Sequence, residues 1–186
     1  LTPHTDNPYR KPIPCIQLLH CLENEVKGGL STLVDGFSVA EYLRKNHEDF
    51  FKILTKTKVR FRFVDKTIIL ENWGELIELG ENNKVKQIRY STRLDYVPVL
   101  DKKELKKFYE ARKLIASLYA SSKFEIKFKL DKGDLIMMDN HRLLHGRTSY
   151  DVSEGKRYLK GCYIDHDSTE GKLRHLERKF NLKWKK

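Results

Sequence analysis

The sequence predicts a mainly β fold of the α+β class, a sandwich or barrel with helices inserted between its strands. Three observations point there. Strand-length runs that alternate or are wholly apolar crowd both ends of the chain, and segments with helical spacing and capping patterns lie between them. No internal repeat or low-complexity linker divides the 186 residues. A chain of this length is most simply one domain, residues 1–186, with enough apolar sequence to bury a core.

In chain order, CIQLLHCL (15–22) reads as a buried strand, followed after KGG by a short strand at STLVD (31–35). Ser38 and Glu41 have the spacing of a capping box, which predicts a helix in SVAEYLRKN that HEDFFKIL prolongs by a turn or two. KVRFRFVD (58–65) alternates strictly, and TIILE, ELIEL and KVKQIRYS follow as strands punctuated by Gly80, Asn82 and Asn83. Asp101 and Glu104 repeat the capping pattern and open a helix to about Ser121. Its apolar stripe is Leu105, Phe108, Tyr109, Ile115, Leu118 and Tyr119. KFEIKFKL (123–130), DLIMMDN (134–140), RLLHGR and KRYLKGCYID (156–165) restore the strand pattern, and TEGKLRHLERKF (169–180) predicts a closing helix.

Hydrophobic residues make up 39% and charged residues 34%, a balance that suits a soluble globular domain. No apolar run approaches the roughly 20 residues a membrane-spanning helix needs, and the start lacks a basic-then-apolar signal pattern. Cys15, Cys21 and Cys162 neither pair evenly nor show C-x-x-C spacing, so free, buried thiols in a reducing compartment are expected. The formal charge of +11 raises nucleic acid as a partner. The lysines, however, are interleaved with acids, as in KKELKKFYEARK, and only NLKWKK is a compact basic cluster. A Lys-rich surface attractive to anionic substrates fits better, and neither nucleic acid nor membrane is expected as a partner.

The chemistry concentrates in HTD. His4 and Asp6 are one residue apart, so on an extended strand both leave the same face and can point at one metal ion. Two ligands close in sequence and a distant His are the layout of the 2-His-1-carboxylate triad, which holds Fe(II) and leaves positions open for other ligands. Of the other histidines, His47, His166 and His175 sit in polar stretches, and His20 reads as a hydrogen-bonded core residue. His141 and His145 flank RLL, and His145 stands out because Gly146 and Arg147 give its imidazole a tight exit at a strand end.

Longer stretches narrow this further. PHTDNPY, PCIQLLHCL, KGGLSTLVDGFSVAEYL, GDLIMMDNHRLLHGRTSY and KRYLKGCYIDHD closely resemble, in the same order, the gamma-butyrobetaine dioxygenase and trimethyllysine dioxygenase family. That family lies within the taurine-dioxygenase-like group of Fe(II)/2-oxoglutarate oxygenases. The resemblance implies a double-stranded β-helix (jelly roll) and an iron held by His4, Asp6 and His145. Arg157, twelve residues after His145, matches the arginine that pairs with the far carboxylate of 2-oxoglutarate, a task suited to a planar fork of donors. Ser31 matches a hydroxyl that helps hold the same carboxylate, with Thr32 as its alternative. Tyr163 matches an aromatic residue of the family's trimethylammonium cage, where cation–π attraction supplies roughly 0.5–2 kcal/mol per well-placed ring. Tyr9 is a candidate second cage member.

The expected activity is hydroxylation of a small trimethylammonium acid, first of all gamma-butyrobetaine on the carnitine route, with Fe(II), 2-oxoglutarate and O₂. Ascorbate is admitted as an accessory and a homodimer as an assembly. The resemblance also implies that the family's first catalytic strands, most of its cage and its small N-terminal domain lie upstream of HTD, so the jelly roll is expected to lack its N-terminal strands. The resemblance implies a cytoplasmic location, with a mitochondrial one open to a eukaryotic chain. Two alternatives stand beside this reading: a catalytically silent C-terminal module acting in binding or structure, and a family oxygenase acting on trimethyllysine or another amino-acid-like substrate.

Overall fold

Residues 1–182 are described by the structure, a computed structural model; the predicted basic cluster NLKWKK lies outside the described residues from position 183 onward. The apolar run at the start forms β1 (Ile16–Asn24), and the short run after KGG forms β2 (Ser31–Asp35). Two helices follow, α1 (Gly36–Asn46) and α2 (Glu48–Lys56). The middle of the chain supplies β3 (Lys58–Val64), β4 (Ile69–Glu75), β5 (Ile77–Leu79), β6 (Val85–Ile88) and β7 (Asp95–Tyr96), and then α3 (Lys102–Tyr119). The last part gives β8 (Glu125–Phe128), β9 (Leu135–Asp139), β10 (Leu143–Arg147), β11 (Arg157–Ile164) and α4 (His166–Lys179).

All pairing among these strands is antiparallel. Two three-stranded sheets, ordered β11-β1-β9 and β10-β2-β8, interleave the start and end of the chain; a third joins β4-β3-β7, and β5 pairs with β6. The α+β class is as the sequence predicts. The strand order is not readable in advance, because in both of the first two sheets the central strand comes from the N-terminal part and both neighbours from the C-terminal part.

The core lies on one side of the second sheet. Val34 on β2 opposes Leu144 on β10, and both pack with Val39 and Leu43 of α1, Leu54 of α2, and Phe108, Ile115 and Tyr119 of α3. Burying such side chains contributes roughly 1.5–3 kcal/mol each. Strand alternation then sends the intervening pairs, His145 with Leu33 and Arg147 with Ser31, to the opposite face. The helices thus anchor one face and leave His145 and Arg147 on the other.

Local expectations meet four corrections. Asp35, not Ser38, caps α1: its carboxylate accepts from the backbone N–H of Phe37 and Ser38, and the Ser38 hydroxyl donates to it. His47 leaves the helical region and separates α1 from α2, so HEDFFKIL does not continue the first helix. Tyr109, placed on the apolar stripe of α3, is 52% exposed, whereas Ala111 is buried in that stripe. The cap at Asp101 forms as the pattern requires, through Lys103 and Glu104 N–H. Cys15 and Cys21 are buried free thiols, but Cys162 is exposed. Among the described residues no helix is long and apolar enough to cross a membrane.

Candidate metal centre

Residues 1–4 run antiparallel alongside β10. His4 and His145 exchange both backbone hydrogen bonds, each 2.9 Å, and Arg147 N–H donates to the Leu1 carbonyl at 2.9 Å. This pairing sets the two imidazoles side by side, with ring centroids 4.4 Å apart. The one-residue spacing of HTD then brings in Asp6. Its Oδ1 is 3.2 Å from His4 Nε2, and its Oδ2 is 3.7 Å from His145 Nε2. Donor atoms of all three residues lie within 4.8 Å of one another, so the triad read from the sequence assembles.

Asn140, fully buried, fixes the backbone at Asp6. Its Oδ1 accepts from Asp6 N–H at 2.8 Å, while its Nδ2 donates to the carbonyls of Asp6 and Pro14 at 3.0 Å each. The Asp6 side chain is held from the first sheet: Gln17 Nε2 and the Tyr163 hydroxyl both donate to Oδ2 at 2.7 Å. Sequence reasoning missed Gln17 and Asn140. A Gln inside the apolar run CIQLLHCL was the available signal.

The electrostatics favour a cation here. Burial works against a charged Asp6, but hydrogen bonds with His4 and Tyr163 and the nearby His145 outweigh it and hold the carboxyl well below its usual range. Burial and neighbouring His4 push His145 down to about 4, against the pull of Asp6, so its ring is neutral at pH 7. Burial and the Asp6 carboxylate push the Tyr163 phenol up, so it remains a donor. His4 Nδ1 contacts the Thr2 carbonyl at 2.9 Å and must donate to it, because a carbonyl only accepts. In a neutral ring, His4 Nε2 therefore presents a lone pair to Asp6 Oδ1 at 3.2 Å. Two lone pairs at that distance repel unless the ring is protonated or a metal ion lies between them. Two imidazoles and a carboxylate, one ring oriented by a backbone carbonyl, are a donor set that first-row transition metals take.

The predicted co-substrate residues lie on the strand faces that carry Tyr163 and His145. Arg157 alternates with Leu159, Gly161 and Tyr163 along β11, so it shares a face with Tyr163. Its Nη2 donates to the Gly29 carbonyl at 3.3 Å, and its buried Nε has no partner. Ser31 opposes Arg147 and so shares the face of His145. Thr32 opposes Gly146 on the other face, where its buried hydroxyl lies beside the glycine. Alternation therefore favours Ser31 over Thr32.

Of the two predicted cage residues, Tyr163 has its hydroxyl engaged with Asp6 and its side chain partly exposed. Tyr9 stacks on Phe63 at 5.1 Å, donates to Asn7, and lines a cleft of about 270 Å³ with His4, Asp6, Ser91 and Arg93.

The chain is 34% identical over 175 residues to the gamma-butyrobetaine dioxygenase of Pseudomonas sp. (strain AK-1), covering 94% of this chain and 46% of that protein. It is 36% identical over 189 residues to the Homo sapiens gamma-butyrobetaine dioxygenase, covering 95% and 47%. The chain thus spans about half the length of the curated relatives it matches. In fold it resembles an asparagine oxygenase solved with Fe(II), 2S,3S-3-hydroxyasparagine and succinate, with a TM-score of 0.69 at 18% identity over 88% of this chain and 49% of that one. Residues 1–163 match the family described as "Taurine catabolism dioxygenase TauD, TfdA family", and the chain belongs to it.

Proposed function

We propose that this chain carries the Fe(II)- and 2-oxoglutarate-binding centre of an oxygenase that hydroxylates a small trimethylammonium acid, gamma-butyrobetaine first of all. The fold is read as belonging to a double-stranded β-helix. The observation that carries this reading is the HTD–His145 cluster, in which donor atoms of His4, Asp6 and His145 all lie within 4.8 Å of one another. His4, Asp6 and His145 would hold the iron. Arg157 and Ser31 would receive the far carboxylate of 2-oxoglutarate. Iron, 2-oxoglutarate and O₂ bound together would supply the oxidising power to hydroxylate an unactivated C–H bond.

The protein's own contribution is placement. Gln17 and Tyr163 keep one Asp6 oxygen occupied, which leaves Oδ1 facing His4 and orients the carboxylate. Neutral His145 keeps a lone pair free at neutral pH. In the cleft beside the centre, the stacked rings of Tyr9 and Phe63 offer π faces to a quaternary ammonium, and Arg93 offers a counter-charge to a carboxylate.

The test is metal-dependent release of succinate from 2-oxoglutarate, stimulated by gamma-butyrobetaine, in the parent protein and in His145→Ala and Arg157→Ala. The expected result is stimulated turnover in the parent, lost in His145→Ala through metal binding and in Arg157→Ala through a raised KM for 2-oxoglutarate. A parent that neither binds Fe(II) nor releases succinate would overturn the reading.

A further inference from the structure

Beside the proposed co-substrate residues lies a construction that the triad does not need. The turn at Gly28–Gly29 is stapled to the segment after β10. Gly29 N–H donates to the Ser149 carbonyl, Leu30 N–H to the Thr148 hydroxyl, and Thr148 N–H to the Leu30 carbonyl, each at 2.9 Å. Gly29 has φ +68°, and a Cβ there would lie 2.9 Å from Arg157 Nε. A Cβ at Gly28 would lie 2.5 Å from the Ser149 carbonyl oxygen. Both glycines therefore make room, one for the Arg157 guanidinium and one for the backbone that carries Tyr150.

The Tyr150 ring in turn meets two arginines. The guanidinium carbon of Arg147 lies 4.6 Å from its centroid and that of Arg157 lies 5.3 Å away. Like charges gathered on one ring repel, and among the described residues neither guanidinium has a carboxylate within ion-pair distance. Arg147 also shares the face of β10 that carries His145, directly opposite Ser31. Two unneutralised guanidiniums, a buried Nε without an acceptor and a hydroxyl on the same face call for an anion with more than one acceptor oxygen.

We propose that Arg147 is a second anchor for the far carboxylate of the 2-oxoacid co-substrate, and that Tyr150 is a positioning residue holding the Arg147 and Arg157 guanidiniums together. The proposal rests on the reading of the site given under Proposed function. It is tested by calorimetric binding of 2-oxoglutarate and of 2-oxobutyrate, which lacks the far carboxylate, to the Mn(II)-loaded protein without O₂.

Arg147→Met weakens 2-oxoglutarate binding by about 10- to 100-fold, the size of one charge-assisted pair, and leaves 2-oxobutyrate and Mn(II) binding unchanged. Arg147→Lys recovers part of the loss. Tyr150→Ala shows the same selective loss, and Tyr150→Phe, which keeps the ring, restores binding. The unchanged Mn(II) affinity reports that each variant is folded. Equal weakening of both acids, or parent-like 2-oxoglutarate binding in Arg147→Met while Arg157→Met is impaired, overturns the second anchor alone. If Arg157→Met is also parent-like, the co-substrate reading falls with it.

Discussion

Asp6 Oδ2 accepts two hydrogen bonds, from Gln17 and Tyr163, while Oδ1 faces His4. The donors thus assign the two oxygens different tasks, and their removal should be felt in metal affinity before it is felt in folding. Tyr163→Phe and Gln17→Leu are each expected to weaken metal binding about tenfold or more, the usual cost of losing a partner that orients a ligand. A titration of Mn(II) against each variant measures this, and parent-like affinity in both would show that the Asp6 carboxylate is oriented by other means. At this scale much was legible in the sequence. HTD and LHGR point to the three side chains that the structure gathers, because alternation and a strand-end glycine are local properties. Gln17, Asn140 and Tyr150 were not, because each acts through a residue far away in sequence that only the folded sheets bring near.

At the level of elements, Asp35 ends β2, caps α1 and pairs with Arg142 through two hydrogen bonds of 3.0 and 2.6 Å. Burial opposes its charge, but the bonds from Arg142 and Ser38 outweigh burial and hold its carboxyl below the usual range. A group whose pKa is lower folded than unfolded stabilises the protein above its unfolded value, near ~3.9 for Asp, and that contribution drains away as pH falls below it. Asp35→Asn, which keeps a good cap, is therefore expected to flatten the loss of stability on acidification below about pH 4 and to cost about 0–1 kcal/mol at pH 7. Asp35→Ala also loses the cap, at about 1–2 kcal/mol. Urea unfolding at pH 7 and pH 3.5 measures both, and an unchanged acid limb in Asp35→Asn would show that other carboxylates govern it. The sequence hid this cap because Ser38 and Glu41 offer a second, complete capping pattern three residues on. β7 was equally hidden, since two residues carry no periodicity and pair only because β3 presents Arg60 and Phe61 to them.

For the molecule as a whole, the helices bury one face of the β10-β2-β8 sheet, whereas the outer face of β11-β1-β9 stays open. Met137 and Leu135 project there from β9, and Met137 is 69% exposed. Met137→Lys is expected to change stability by less than about 0.5 kcal/mol while lowering the binding of a hydrophobic dye; a larger loss of stability would mean that the side chain is buried in solution. The fold class was readable from strand-length runs and two caps, but the pairing order was not, because strand partners are chosen by long-range packing rather than by composition. The paired backbones of His4 and His145 add a consequence in time. His4 and His145, far apart in the chain, meet only when the terminal segment zips onto β10, so at the proposed iron site the closing of that long loop and the birth of metal affinity are a single event. Metal capture should then clock the completion of folding. On refolding, Mn(II) uptake should trail the recovery of helical circular dichroism, and in urea it should vanish no later than the helices do. Uptake that outlasts the helices would show the ligands gathering without the zip.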